Sequence, residues 1–192
     1  MSLYEGINYQ KISMSVSIEK TEDIMNQKKK LNNICIINCF DTYEHRVDLL
    51  HDYFKSTGAN IKVVTSNYKH FEKCKRTDEK EDFEFVNTIP YKKNLSMQRL
   101  KSHINLSKTI FKQIENQNYD LLWVLVPPNS FVKEAAKYKK RNPNVKLIFD
   151  LIDLWPETMP ISKFKSLPPF QYWKRLRDNY LNSADQIVTE CN

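Results

Sequence analysis

"DLLWVLVPPNSFVKEAAKYKKRNPNVKLIFDLI", residues 120–152, contains two apolar runs separated by one helix-length polar stretch. Leu121–Val126 has no polar residue and Leu147–Phe149 is apolar again, so neither run alternates as a strand with one wet face would. Strands that read this way are buried on both faces. Pro127 and Pro128 stop the first run, Asn129 stands where a helix cap belongs, and a helical period follows through about Lys140. A buried strand, a crossover helix and a second buried strand imply a parallel pair with a right-handed connection.

The alternation extends in both directions. "ICIINCF" (34–40), "IKVVTS" (61–66), "FEFVNTI" (83–89) and "DQIVTE" (185–190) read as further strands. A helix opened by Asp41 or Thr42 carries Val47, Leu50 and Phe54 and stops at Gly58, a natural residue just past a helix end. A second is capped by Ser96, with Met97, Leu100, Ile104, Ser107, Phe111 and Ile114 as its apolar stripe. A third starts at Pro168 and Pro169 and presents Phe170, Trp173, Arg177 and Tyr180. "NYKHFEKCKRTDEKED" (67–82) has no apolar period and reads as a loop. Residues 1–31 are polar and read as an arm. The expected architecture is an α/β, doubly wound, mainly parallel six-stranded Rossmann-like sheet over 32–192, with helices on both faces.

Composition narrows the functions. Only Gly6 and Gly58 are glycine, so neither a phosphate loop nor a dinucleotide fingerprint, which need several, is present. The four cysteines and four histidines fall at no metal-ligand spacing, so neither a metal nor another cofactor is expected. His51, His70 and His103 read as surface or helix-face residues. No G-x-S-x-G elbow occurs. No stretch approaches a membrane span, and the first residues lack the apolar core of a signal peptide. The net charge of +7 favours an anionic partner: nucleic acid, lipid headgroups or a phosphorylated small molecule.

In an open parallel sheet, ligands bind beyond the carboxyl ends of the strands. That rule selects residues 41–46, 65–68, 90–92, 127–130 and 153–157. Tyr43 and Arg46 follow the first strand, and Arg46 is either a surface residue or a bidentate holder of phosphate or carboxylate. Asn129 follows the strand at 120–126. In "IFDLIDLWPETMP" (148–160) the strand runs out into Asp153, Trp155 and Glu157. These acids either cap turns or serve a site. Asp150, inside the strand, reads as a satisfied buried acid.

"DLIDLWPETMP" (150–160) resembles the D-x-x-D-L-W-P-E segment of the large retaining glycosyltransferase family with the GT-B fold, whose members of this type build capsular and O-antigen polysaccharide. "YEHRVDLLHDYFKSTGANIKVVTSNY" (43–68) and "VPPNSFVKEAAKYKKRNPNVKLIFD" (126–150) are similar to the same proteins in the same order. The resemblance spans about residues 33–192. It implies the N-terminal, acceptor-side half of a two-domain enzyme. The nucleotide-sugar donor would be held by a C-terminal half with an E-x7-E signature, for which this sequence has no room. It further implies a carbohydrate or lipid-linked acceptor, no cofactor, and a cytoplasmic location at the inner face of the membrane, with an anionic bilayer as partner. Asp153 would orient the acceptor hydroxyl as the catalytic residue. Arg46, Tyr43, Asn129 and Glu157 would contact substrate or shape the site. The turn "FDTYEH" replaces the family's glycine-rich one. Two other readings compete: a non-catalytic sugar- or nucleotide-binding module, and a nucleic-acid binder, which lacks any recognition motif.

Overall fold

Residues 31–159 and 166–189 are described by the computed structural model. The arm read over 1–31, apart from Leu31, and the final residues including Cys191 lie outside them. The elements are β1 (Asn33–Ile37), α1 (Glu44–Ser56), β2 (Asn60–Ser66), β3 (Tyr68–Lys69), β4 (Cys74–Lys75), β5 (Phe83–Val86), α2 (Met97–Gln113), β6 (Leu121–Val126), α3 (Asn129–Arg141), β7 (Lys146–Leu151), α4 (Pro168–Asp178) and β8 (Gln186–Thr189).

Six strands form one sheet in the order β5-β2-β1-β6-β7-β8, and every pairing in it is parallel. Counted along the chain, that is the doubly wound order 3-2-1-4-5-6, with its switch point between β1 and β6. The uninterrupted apolar runs are the cause, since β6 is buried at every position and β1 at all but its first. Polar residues on either face of such strands would be stranded between sheet and helices.

Strand parity sorts the core into two layers. Ile34, Ile36, Leu121, Trp123, Leu125 and Ile148 meet Val47 and Phe54 of α1. Cys35, Ile37, Leu122, Val124, Val126 and Phe149 meet α2 and α3 through Leu106, Ile110, Phe111, Phe131 and Tyr138. Helix α4 packs through Trp173 and Leu176 against Leu100 of α2. Each large side chain here contributes on the order of 2 kcal/mol by leaving water. Asp150 shares the parity of Ile148 and so faces α1.

Several local expectations are corrected. The stretch 67–82 is not wholly a loop, because β3 and β4 pair as a short antiparallel ribbon within it. Asp41 does not cap α1. A 3-10 turn over Asp41–Tyr43 precedes that helix, and Asp41 Oδ1 accepts from the His70 amide at 2.8 Å. Asn129 is the first residue of α3 rather than its cap, a place Pro128 takes. Met97 is 55% exposed, because the first turn of α2 packs on α4 through Leu100 instead. Ser96 does cap α2, accepting from the Arg99 amide at 3.1 Å. Among the described residues no helix is long and apolar enough to cross a membrane.

Gly58 closes α1 with φ of +79°, and a Cβ built there would meet nothing within 4 Å. The cost of a side chain at this position is therefore conformational alone. Gly58→Ala is expected to lower the unfolding free energy by roughly 1–2 kcal/mol in urea titrations, and Gly58→Asn by less.

Candidate functional site

At the carboxyl edge the loops after β1, β2, β5, β6 and β7 interlock. The His70 amide reaches back to Asp41, and Tyr68 Oη donates to the Tyr91 carbonyl at 2.5 Å. Asn129 Nδ2 reaches the Trp155 carbonyl at 2.7 Å, and the Asp153 amide lies 3.4 Å from the Val126 carbonyl. The Trp155 ring sits 5.6 Å from that of Phe40, just past β1. All five segments selected by the strand-end rule share one rim, and the tail of β7 lies across its switch point.

The tail is held by hydrogen bonds to its own acids. Asp153 Oδ2 accepts from Trp155 Nε1 at 2.5 Å, and its Oδ1 accepts from Thr158 Oγ1. The carboxylate is thereby oriented yet only half-buried. Glu157 receives the Arg177 fork at 3.0 and 2.8 Å, with Lys174 Nζ at 3.0 Å. Burial alone would raise the Glu157 carboxyl, but Arg177 and Lys174 outweigh it and hold it down at about 2. Arg177 also donates to the Trp155 carbonyl at 3.1 Å. Glu157 thus fixes α4 to the rim.

Two other assignments change. Arg46 was expected to hold phosphate or acceptor; instead its Nε and Nη2 bind the fully buried Asp150 carboxylate at 2.7 and 2.9 Å. Trp123 Nε1 adds a third donor to Asp150 at 3.0 Å. Strand parity points this acid at α1, so the arginine satisfies a buried charge that would otherwise be costly. Asn129, expected to bind substrate, is buried and donates to the Trp155 and Trp173 carbonyls at 2.7 and 3.0 Å. It is a brace between the tail and α4. Tyr43 is half-buried, edge-on to Phe40 at 5.7 Å.

Behind Trp155 lies a cluster that the sequence reading missed. Arg99, 4% exposed, stacks its guanidinium 4.4 Å from the Trp155 ring centre, with the Phe40 and Tyr91 rings at 5.5 and 5.7 Å. His103 lies 5.4 Å from Phe40, 5.9 Å from Trp173 and nearly parallel to Trp155. His70 Nδ1 and Tyr91 Oη are 2.6 Å apart. Both imidazoles are buried: His103 does lie on a helix face, but one turned inward, and His70, read as a surface or helix-face residue, is covered in the loop after β2. Burial, then the charges of Arg99 and Lys73, push His70 down to about 4, and burial chiefly pushes His103 well below the usual range. Among the described residues, three buried side-chain polar atoms lack hydrogen-bond partners: His103 Nδ1, Asn129 Oδ1 and Trp173 Nε1. A usable signal existed in the sequence, since Arg99 and His103 are polar residues four apart on the stripe side of a helix.

Burial raises the Cys39 thiol and takes Cys35 to about 12, so neither is a thiolate near neutrality. Among the described residues no group of three or more His, Cys, Asp or Glu is arranged to hold a metal ion. A cavity of about 360 Å³ opens at the opposite, amino edge between Asn33, Tyr119, Asp120 and Asn142. There Asp120 Oδ2 accepts from the Asn32 and Asn33 amides at 2.9 and 3.1 Å, tying the start of β1 to that of β6. The carboxyl edge differs in bringing an oriented carboxylate, Asp153, and a buried cation, Arg99, to one rim.

No protein-family model matches the chain, and none of the curated proteins does. Among solved structures, the chain is similar to the C-terminal domain (residues 78–226) of a hydrogenase from Pyrococcus furiosus. The identity is 16% and the TM-score 0.48, over 64% of this chain and 94% of that one. A second crystal structure of that domain, residues 83–215, gives 15% and 0.43 over 62% and 90%.

The shifted groups set the pH dependence of stability. An unfolded imidazole takes a proton near pH 6.5 that folded His70 refuses until about 4, so stability falls as pH drops through that window. Glu157 acts lower: its contribution is complete above its unfolded value of 4.5 and is lost as pH falls towards 2. Urea midpoints measured across pH should therefore decline in two stages. His70→Gln should make the upper stage shallower, leaving the part that buried His103 contributes, and Arg177→Met should flatten the lower.

Proposed function

We propose that this chain is the acceptor-side half of a retaining glycosyltransferase, which moves a sugar from a nucleotide sugar to a carbohydrate or lipid-linked acceptor. One observation carries the reading: the D-x-x-D-L-W-P-E tail of β7 crosses the switch point of a doubly wound sheet and holds Asp153 oriented and half-buried there. An ionised carboxylate has about four lone-pair sites, and the two bonds to Asp153 leave room for an acceptor hydroxyl.

Asp153 accepts a hydrogen bond from that hydroxyl and fixes its direction towards the donor carbon. The Trp155 and Thr158 bonds set the carboxylate beforehand, so the orienting entropy is met by folding rather than in the reaction. Glu157, through Arg177, keeps the rim closed on α4. The nucleotide sugar sits on a second domain facing this edge. An anionic bilayer is the natural docking surface, because Lys92, Lys93, Leu95, Met97 and Lys101 are exposed together around the first turn of α2.

Incubating the chain with nucleotide sugars and oligosaccharide or lipid-linked acceptors, with and without a donor-side domain supplied in trans, tests the reading by mass spectrometry of the products. Turnover is expected only in the mixture. Asp153→Asn should lower kcat by about 100-fold with little change in donor KM. If no mixture forms a glycoside from any donor, or if Asp153→Asn transfers at the unaltered rate, the proposal fails.

A further inference from the structure

The guanidinium of Arg99 is buried at the carboxyl edge and makes no ion pair among the described residues. It donates to the Asn94 carbonyl at 3.0 Å and, through Nε, to His103 Nε2 at 3.4 Å, and it stacks on Trp155. An arginine keeps its proton under all ordinary conditions, so this is a permanent charge. The three cation–π contacts return about 0.5–2 kcal/mol each, which offsets much of the several kcal/mol that removing the charge from water costs but supplies no counter-charge. The three other arginines with largely covered side chains differ. Arg46 has Asp150, Arg76 has Glu44 and Asp78, and Arg177 has Glu157 and Asp178.

The neighbouring unsatisfied atoms have a definite polarity. An arginine can only donate, so His103 Nε2 is the acceptor in that pair and the ring proton of this neutral imidazole sits on Nδ1. His103 Nδ1 and Trp173 Nε1 are therefore donors without acceptors, against one unmatched acceptor, Asn129 Oδ1. Their rings lie 5.9 Å apart in the same cluster as Arg99. A buried cation with two idle N–H groups matches an oxyanion, and matches a cation or a wholly neutral hydroxyl ligand poorly. A groove of about 200 Å³, lined by Leu95, Ser96, Met97, Leu100, Phe170 and Trp173, runs alongside the turn of α2 that carries Arg99. Of the cluster, Trp173 lines this groove, so a molecule seated there meets the cluster at that indole.

We infer that Arg99, His103 and Trp173 form an oxyanion subsite, and that the acceptor of the proposed transfer carries a phosphate or carboxylate there. The inference rests on the acceptor-side reading for the word acceptor, and on the cluster alone for the anion.

The test is titration of the chain at constant ionic strength with inorganic phosphate, glucose 1-phosphate, glucuronic acid and glucose, followed by tryptophan fluorescence and thermal midpoint. Saturable binding of an anionic probe, with glucose at least about tenfold weaker, is expected. Preference for glucose 1-phosphate over glucuronic acid identifies phosphate as the group, and the reverse order identifies carboxylate. Arg99→Met should abolish the response. Arg99→Lys, which keeps the charge but loses the planar fork, should weaken it by about tenfold with the fold intact by circular dichroism. Binding of glucose as tightly as its anionic counterparts overturns the subsite while leaving the acceptor-side reading in place. Binding of inorganic phosphate but of no sugar supports the subsite and counts against that reading. No anion binding, or binding unaltered in Arg99→Lys, overturns the subsite.

Discussion

The rim of this fold depends on one backbone oxygen. The Trp155 carbonyl accepts from Asn129 at the start of α3 and from Arg177 in α4, at 2.7 and 3.1 Å. Those two bonds draw the tail of β7 against the helices on one side of the sheet. The arrangement of side chains at the edge follows from that placement. The Trp155 indole is put where it can orient Asp153 and stack on Arg99 and His103. Glu157 is brought within reach of the Arg177 fork. Hydrogen bonds to a charged donor contribute more than neutral ones, and a buried carbonyl left unpaired would cost comparably. The clamp is thus strong in both senses.

Charge at this edge is divided by strand parity. On the α1 face, Asp150 and Arg46 neutralise each other beneath Trp123 and make a structural joint between strand and helix. On the opposite face, past the strand ends, Arg99 meets no acid among the described residues, and its hydrogen bonds go to the Asn94 carbonyl and the neutral His103 imidazole. A fold that places one arginine against a buried aspartate could have done so with the other. That asymmetry is the ground for the proposed oxyanion subsite.

Much of this was legible in the sequence, and for physical reasons. Strands buried on both faces must be apolar throughout, so Leu121–Val126 and "ICIINCF" declared a parallel sheet before any coordinates. Gly58 and Ser96 marked helix ends because positive φ and orphan amides admit few residues. Asp150 was recognisable as a satisfied acid because it lies within an apolar run. The rim was located by the strand-end rule, but the roles within it were not. Whether Arg46 meets a ligand or Asp150 depends on a partner 104 positions away. Arg99, His70 and His103 looked like ordinary polar helix or loop residues, since their burial arises only when the loop after β2, helix α2 and the β7 tail converge. Asn129 fitted a cap by type, yet the prolines before it took that place and turned its side chain inward.

The three tryptophans give the most direct test of the central claim that a saccharide acceptor lies across the carboxyl edge at the β1/β6 switch point. Their indole N–H signals, resolved by nitrogen–proton NMR, report on two locations: Trp155 and Trp173 at the edge, and Trp123 in the core against Asp150. Addition of an oligosaccharide acceptor fragment is predicted to shift the Trp155 and Trp173 signals saturably while that of Trp123 stays fixed. If a bound saccharide moves only Trp123, or leaves all three signals unmoved, it lies elsewhere, and the account of this edge as an acceptor site is contradicted.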